Sequence, residues 1–304
     1  MSRRRFGRHT VETSNEDKVL FPDDGITKGD LMDYYEAVAD HLLPWVRERP
    51  LVMQRFPDGI EAGGFYHKQV AEHFPDWIPT VEVEKSGGQK QQLVVCNAKA
   101  TLVYLANLGC VTLHPWLCRI DRLDHPDQLI VDLDPPANGP FTAVRDAARA
   151  CRDLFDELEL PSFLKTTGSK GLHVVVPLDR KAGFDSVRDF AREAMALLAA
   201  RRPDALTTEV RKNKRKGRVF LDVARNAYAQ TAVAPYSVRP LPGAPVATPI
   251  AWEELGRLDA RSFTLENLFG RLSRVRDPWK GLRRHASGLS RPRRRLETLR
   301  EEER

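Results

Sequence analysis

The chain has 304 residues, 41% hydrophobic and 30% charged, with a formal net charge of +6, so it can bury a large core as one big domain or two lobes. Its longest apolar runs fall far short of a membrane span, and Met1-Ser2-Arg3-Arg4-Arg5-Phe6 lacks the apolar segment of a secretory signal. No membrane partner and a cytoplasmic protein are therefore expected.

Cys96, Cys110, Cys118 and Cys151 show no Cys-X-X-Cys spacing; in a reducing compartment they read as small core residues, and a zinc site is not expected. Basic residues gather at 3–8, at 211–218 and at 291–295, a clustering that suits a polyanion such as nucleic acid. The two terminal clusters read as solvated tails, 1–12 and 283–304, around a single functional unit over 13–282.

In chain order, Asn15-Glu16-Asp17-Lys18-Val19-Leu20-Phe21-Pro22 is a loop into a short apolar segment. Thr27-Lys28-Gly29-Asp30 then opens a helix, with Thr27 as cap and Asp30 in the reciprocal position, and Leu31, Tyr34, Val38 and Leu42 follow at core-facing spacing. Lys18 and Lys28 flank this helix start, where a phosphate is attracted, although two lysines are more often merely exposed. Arg55-Phe56-Pro57-Asp58-Gly59 is a turn. In Gly63-Gly64-Phe65-Tyr66-His67-Lys68, adjacent rings followed by a lysine suit base stacking and phosphate pairing; the competing expectation is that at least one ring packs in the core, because strand neighbours point to opposite sides. Residues 81–95 read as a β-hairpin with a polar glycine tip at 85–92.

Residues 100–108 read as a helix and 111–116 as a strand ending at proline, with His114 either near a site or a satisfied structural histidine. Leu129-Ile130-Val131-Asp132-Leu133-Asp134-Pro135-Pro136 reads as a buried strand stopped by a double proline. Side chains two apart share a strand face, so Asp132 and Asp134 emerge together, and two close carboxylates call for a hard cation such as magnesium or manganese. Alone, Asp-X-Asp is more often a cap or turn.

After a packing helix over 141–158, residues 162–177 read as strand, glycine-bounded turn and strand. Its Gly168-Ser169-Lys170-Gly171 is either a plain hairpin turn or a place where backbone amides, the Ser169 hydroxyl and Lys170 meet a phosphate; it lacks the spacing of a Walker loop. A helix over 185–200 precedes the internal basic run. Asp222 then interrupts the apolar strand Val219-Phe220-Leu221-Asp222-Val223, where a buried carboxylate needs a partner that a shared metal would supply. The proline-punctuated stretch from Thr231 holds Arg239, a fork able to grip two phosphate oxygens.

The ordered set Asn15-Glu16-Asp17-Lys18-Val19-Leu20-Phe21-Pro22, Arg55-Phe56-Pro57-Asp58-Gly59, Asp132-Leu133-Asp134-Pro135, Gly168-Ser169-Lys170-Gly171-Leu172-His173 and Thr231-Ala232-Val233-Ala234-Pro235-Tyr236-Ser237 resembles the polymerase domain of bacterial DNA ligase D, of the archaeo-eukaryotic primase superfamily, over residues 13–255. The resemblance implies an α/β (α+β), two-lobed primase-polymerase fold with mixed and antiparallel sheets about a central cleft. It implies two ions, Mn2+ or Mg2+, on Asp132, Asp134 and Asp222, and a nucleotide triphosphate held by Ser169, Lys170, His173 and Arg239, with His114 nearby. A DNA 5′-phosphate would go to Asn15, Lys18 and Lys28, and template bases to Phe65 and Tyr66 with Arg55 and Lys68 close by.

The implied activity is template-directed addition of NTPs or dNTPs at DNA ends, gaps and overhangs during non-homologous end joining. No Lys-X-Asp-Gly adenylation motif is present, so the chain is either an excised domain or a stand-alone polymerase that works with a separate DNA ligase; the resemblance implies an end-binding Ku protein as a further partner. The chain departs from the family at Ala224-Arg225-Asn226-Ala227-Tyr228-Ala229-Gln230, where relatives often carry more basic residues. Rival classes are a metal-dependent glycosyltransferase, a haloacid-type phosphatase, disfavoured by Pro136, and a non-catalytic DNA-end bridging module.

Overall fold

The computed structural model describes residues 2–303 apart from 72, 85–87 and 137–138. The chain forms two compact units, one of Met1–Leu123, Thr231–Thr248 and Phe263–Gly270 and the other of Asp124–Gln230, Pro249–Ser262 and Arg271–Arg304. Both mix helices with sheets, in agreement with the expected class.

In the first unit the Thr27 cap forms as expected: its Oγ1 accepts from the Asp30 amide at 3.1 Å and its own amide donates to Asp30 Oδ2 at 2.8 Å. Leu31, Tyr34, Val38 and Leu42 are all buried, but the helix is interrupted at Val38, which caps Lys28–Ala37 and begins Ala39–Val46. Pro50–Arg55 runs antiparallel to Phe65–His67, Lys90–Val95 and Cys110–Pro115, and Thr80–Glu84 pairs with Lys90–Val95. The expected tip of that last hairpin falls partly on 85–87, outside the described residues. The Thr231–Ser237 motif seals the far edge of the sheet. The Ala234 amide donates to Leu113 O at 2.9 Å, and Ser237 Oγ accepts from the Leu113 amide at 2.9 Å. The buried Tyr34 and Tyr35 hydroxyls donate to Tyr236 O and Val111 O at 2.8 and 2.6 Å.

The second unit is a six-stranded sheet in the order Leu206–Thr207, Val219–Asp222, Gln128–Asp134, Leu172–Pro177, Phe163–Thr166, Pro249–Ile250, antiparallel except for its first pair. Helices Phe141–Glu157 and Phe184–Arg201 pack on it through Val144, Ala148, Cys151 and Phe155 and through Phe190 and Ala194, all buried at the expected spacing. Side chains the size of Val144, Phe155 and Phe190 contribute about 1.5–3 kcal/mol each on leaving water. Gly171 is fixed by close approach: a Cβ there would stand 2.1 Å from Leu133 O, so only glycine lets the Leu172 strand begin against the Asp132 strand.

The terminal segments differ from the expected tails. Ser2–Phe6 and His9–Thr13 form an antiparallel hairpin turning at Gly7, whose φ is +59°. Ser290–Glu302 is a helix that buries Leu296 and Leu299 and packs on Phe184–Arg201. Arg300 donates to Glu193 at 2.7 Å, and Arg293 to Ser186 O at 2.9 Å. All four cysteines are free and buried, as expected.

Candidate active site

Strand register assembles the site in the second unit. Asp132 lies directly opposite Asp222 on one side and His173 on the other, and His173 lies opposite Lys165. Residues opposite one another on adjacent strands share a face. Asp222, Asp132, His173 and Lys165 thus form one row across four strands, and Asp134, two residues beyond Asp132, joins the same face.

Each carboxylate leans on protein groups. His173 Nε2 is 3.4 Å from Asp132 Oδ1, and Arg225 Nε is 3.5 Å from Asp132 Oδ2. Asp222 Oδ1 accepts from the Ala224 amide at 2.7 Å. Arg215 stands 4.0 Å from Asp134 Oδ2, its guanidinium 3.9 Å over the ring of Phe220, which is itself the cross-strand partner of Asp134. With the side chains turned this way, no three His, Cys, Asp or Glu groups among the described residues are gathered tightly enough to hold an ion. The donor set, three carboxylates on one face, is nonetheless the oxygen-only kind that suits magnesium or manganese.

Electrostatics separate the three acids. Burial pushes Asp132 up, but His173, Arg225 and Lys165 outweigh it and hold the carboxyl at about 2. Burial drives the His173 imidazole down to about 4 against the pull of Asp132. At pH 7 His173 is therefore a neutral N–H donor, and the full charges that keep Asp132 ionised are Arg225 and Lys165. Asp134 is pushed the other way, to about 6, first by burial and then by Asp132 and Asp222, with Arg215 and Arg225 offsetting only part. The repulsion that Asp132 and Asp222 exert on Asp134 is what a divalent cation among them would relieve. His173 Nδ1, in a side chain 3% exposed, has no hydrogen-bond partner in the protein.

Beside Asp134 opens a cavity of about 770 Å³ whose wall includes Ser169, Lys170, Lys212, Arg215 and Arg261. Four cations against two carboxylates, Asp134 and Asp259, leave this wall net positive, as a polyphosphate surface requires. The glycine-bounded turn forms, but not all of its amides face outward: those of Ser169 and Gly171 donate to Thr167 Oγ1 at 3.3 and 3.2 Å. Ser169 and Lys170 remain on the cavity wall, and Ser169 O accepts from Arg261 Nε at 2.9 Å. Lys165, Arg215, Arg225 and Arg261 were not singled out from sequence. Of these, Lys165 carried a signal, as a lone cation in the strand Phe163–Thr166.

The remaining expected residues belong to the first unit. Lys28 is buried and its pKa is lowered, by burial first and then by the nearby Lys18; two ammonium groups that repel make a place for an anion. Lys18 is also paired with Asp58 at 2.6 Å. The helix start contributes no free amides: those of Lys28, Gly29 and Asp30 donate to Lys18 O, Glu16 O and Thr27 Oγ1. Asn15 is exposed at the turn, in the left-handed conformation that asparagine tolerates. Both Phe65 and Tyr66 stay exposed, at 49% and 56%, so neither ring is core. The Arg55 guanidinium lies 5.5 Å over the Phe65 ring and donates to Leu108 O at 2.8 Å, and Lys68 is exposed. His114 is buried, 3.4 Å from Gln54 Oε1 and edge-on to Tyr66, and the Arg239 amide donates to Pro245 O at 2.7 Å. No helix among the described residues is long and apolar enough to cross a membrane.

Residues 27–279 match the family model described as LigD, primase-polymerase domain. The multifunctional non-homologous end joining protein LigD of Pseudomonas aeruginosa is 35% identical over 272 residues, 88% of this chain and 32% of that protein. The LigD of Mycolicibacterium smegmatis is 30% identical over 269 residues, covering 88% of this chain and 35% of its own. The chain thus spans about a third of the length of these relatives. A solved structure, the polymerase domain from Mycobacterium tuberculosis ligase D in complex with DNA, superposes with a TM-score of 0.85 at 30% identity, over 91% of this chain and 99% of that one. On the extent of that family match and the agreement in fold, the chain belongs to the LigD primase-polymerase domain family.

Proposed function

We propose that this chain is a template-directed polymerase that adds NTPs or dNTPs to the 3′ end of DNA at gaps and overhangs bearing a 5′-phosphate, in non-homologous end joining. The observation that carries it is the register that sets Asp222 opposite Asp132, with Asp134 two residues further along the same face. The relatives named for end joining and the solved polymerase domain bound to DNA support the same reading. Two divalent ions, Mn2+ or Mg2+, on the oxygens of Asp132, Asp134 and Asp222 would lower the pKa of the primer 3′-hydroxyl and neutralise charge on the departing pyrophosphate.

The chain's own groups supply the rest. Ser169, Lys170 and Arg215 would grip the triphosphate from the cavity wall. Arg225 and Lys165 would keep Asp132 ionised, and His173 and Arg225 would hold it in one orientation. Lys18 and Lys28 would receive the 5′-phosphate beside Asn15, and Phe65 and Tyr66 would stack template bases, with Arg55 stiffening Phe65 from behind. Ligation would come from a DNA ligase, and Ku would bring the ends. The test is primer extension on a gapped duplex with manganese and NTPs or dNTPs, comparing wild type with Asp134→Ala. Incorporation confined to the wild type is the expected result. Equal incorporation by both would discard the mechanism, and end bridging without incorporation by either would favour a non-catalytic module.

A further inference from the structure

The N-terminal hairpin lies before the region matched by the family model, which begins at residue 27, yet it is built onto the loop that carries Lys18. Its inner side is fastened at several points. Ser2 Oγ, Thr13 Oγ1 and Arg4 all donate to the Glu16 carboxylate, Arg4 at 2.7 Å, and Arg4 also pairs with Asp33 and, at 3.6 Å, with Glu36. Glu16 O in turn accepts from the Gly29 amide at 2.8 Å, at the start of the helix that holds Lys28. Asn107 clamps the second strand: its Oδ1 accepts from the Ser14 amide at 3.1 Å, and its Nδ2 donates to Glu12 O at 3.2 Å. Near the turn, the His9 ring stacks on Trp77 at 4.6 Å. A hairpin tied in this way is a rigid platform rather than a tail.

Strand alternation decides which arginines are free to act. Arg4 faces inward and its charge is consumed by three acids, whereas Arg3 and Arg5, on the other face, are exposed, as is Arg8 at the turn. The only acid paired with them among the described residues is Glu12, 2.9 Å from Arg3, in a bridge 76% and 65% exposed and therefore readily exchanged for another anion. We propose that this outer face binds the phosphate backbone of duplex DNA on the downstream side of the 5′-phosphate. The inference rests on the polymerase reading and extends it, because the platform is fixed to the Lys18 and Lys28 loop. Arginines two apart on a strand, about 7 Å along its backbone, suit a polyanion read without base contacts.

The experiment measures binding of a 5′-phosphorylated gapped duplex to the full chain over a series of salt concentrations, for wild type, for Arg3→Gln/Arg5→Gln/Arg8→Gln and for the corresponding triple lysine variant. The glutamine triple is expected to lose about two to three from the slope of log K against log salt, at ~0.9 per phosphate contact. Triple lysine should restore the slope, and NTP binding should be the same in all three. Slopes equal in wild type and the glutamine triple would overturn the proposal while leaving the polymerase reading intact. A wild type that does not bind the duplex at all would overturn both.

Discussion

Asn226 offers the sharpest test of how the carboxylate row is held. The Val219–Asp222 strand ends at Asp222, and beyond it the edge of the Asp132 strand is completed by a side chain: Asn226 Oδ1 accepts from the Ile130 amide at 2.8 Å, and Nδ2 donates to Ile130 O at 2.7 Å and to Val223 O at 2.9 Å. Asn226 is fully buried, so water cannot readily replace it. Asn226→Ala leaves the amide and carbonyl of Ile130 without those partners, at about 1–3 kcal/mol each, or about 2–6 kcal/mol together. That is a large share of the ~5–15 kcal/mol holding a typical domain. Asn226→Asp should be no better, because it keeps an acceptor for the Ile130 amide but faces two carbonyls with no donor. Urea unfolding followed at Trp252 and Trp279, with hydrogen exchange at the Ile130 amide, reads both effects. A loss below about 1 kcal/mol with Ile130 protected as in wild type would refute the assignment of Asn226 as the clamp for the turn that carries Arg225.

Asp134→Asn should abolish nucleotide addition yet raise thermal stability in EDTA by about 1 kcal/mol, since it relieves repulsion among three acids in a partly solvated setting; a drop in stability would contradict that picture. Glu16 is held at about 2 by hydrogen bonds from Ser2, Thr13 and Arg4. A carboxylate depressed on folding adds stability above its unfolded value near 4.5 and loses it as pH falls toward 2, so Glu16→Gln should flatten the stability profile across that window by on the order of 1 kcal/mol. Urea unfolding at pH 5 and pH 3 for both proteins measures this. Burial pushes the Cys110 and Cys151 thiols up to about 12, so a thiol-specific disulfide reagent at pH 8 should leave the folded chain unlabelled and modify all four cysteines after unfolding.

The parts of the site that follow from spacing along one strand were legible in the sequence. Asp132 and Asp134 share a face by period alone, and Asp222 stood out as a charge in an apolar run. The row that joins them to His173 and Lys165 was not legible, because it depends on the register of four strands, which pairing decides and no single segment records. The cavity arginines are hidden for a similar reason: Arg215 lies in a run of cations and is distinguished only by the Phe220 ring beneath it. In the terminal segments, arginines obscure the apolar pattern. Phe6 and Val11 are the apolar residues on the hairpin's inner face, and Pro292, Leu296 and Leu299 are the buried residues of the last helix. The turn at 168–171 was placed correctly, but the capture of two of its amides by Thr167 is a local choice that composition does not announce.

The most direct measurement is single-nucleotide incorporation into a 5′-phosphorylated gap by wild type and by Asp222→Asn, with folding of both checked by circular dichroism and manganese binding measured in parallel. If the three carboxylates act as one ion-holding group, the variant should bind manganese more weakly and lose incorporation by several orders of magnitude. A folded Asp222→Asn chain that extends the primer at the wild-type rate would contradict it.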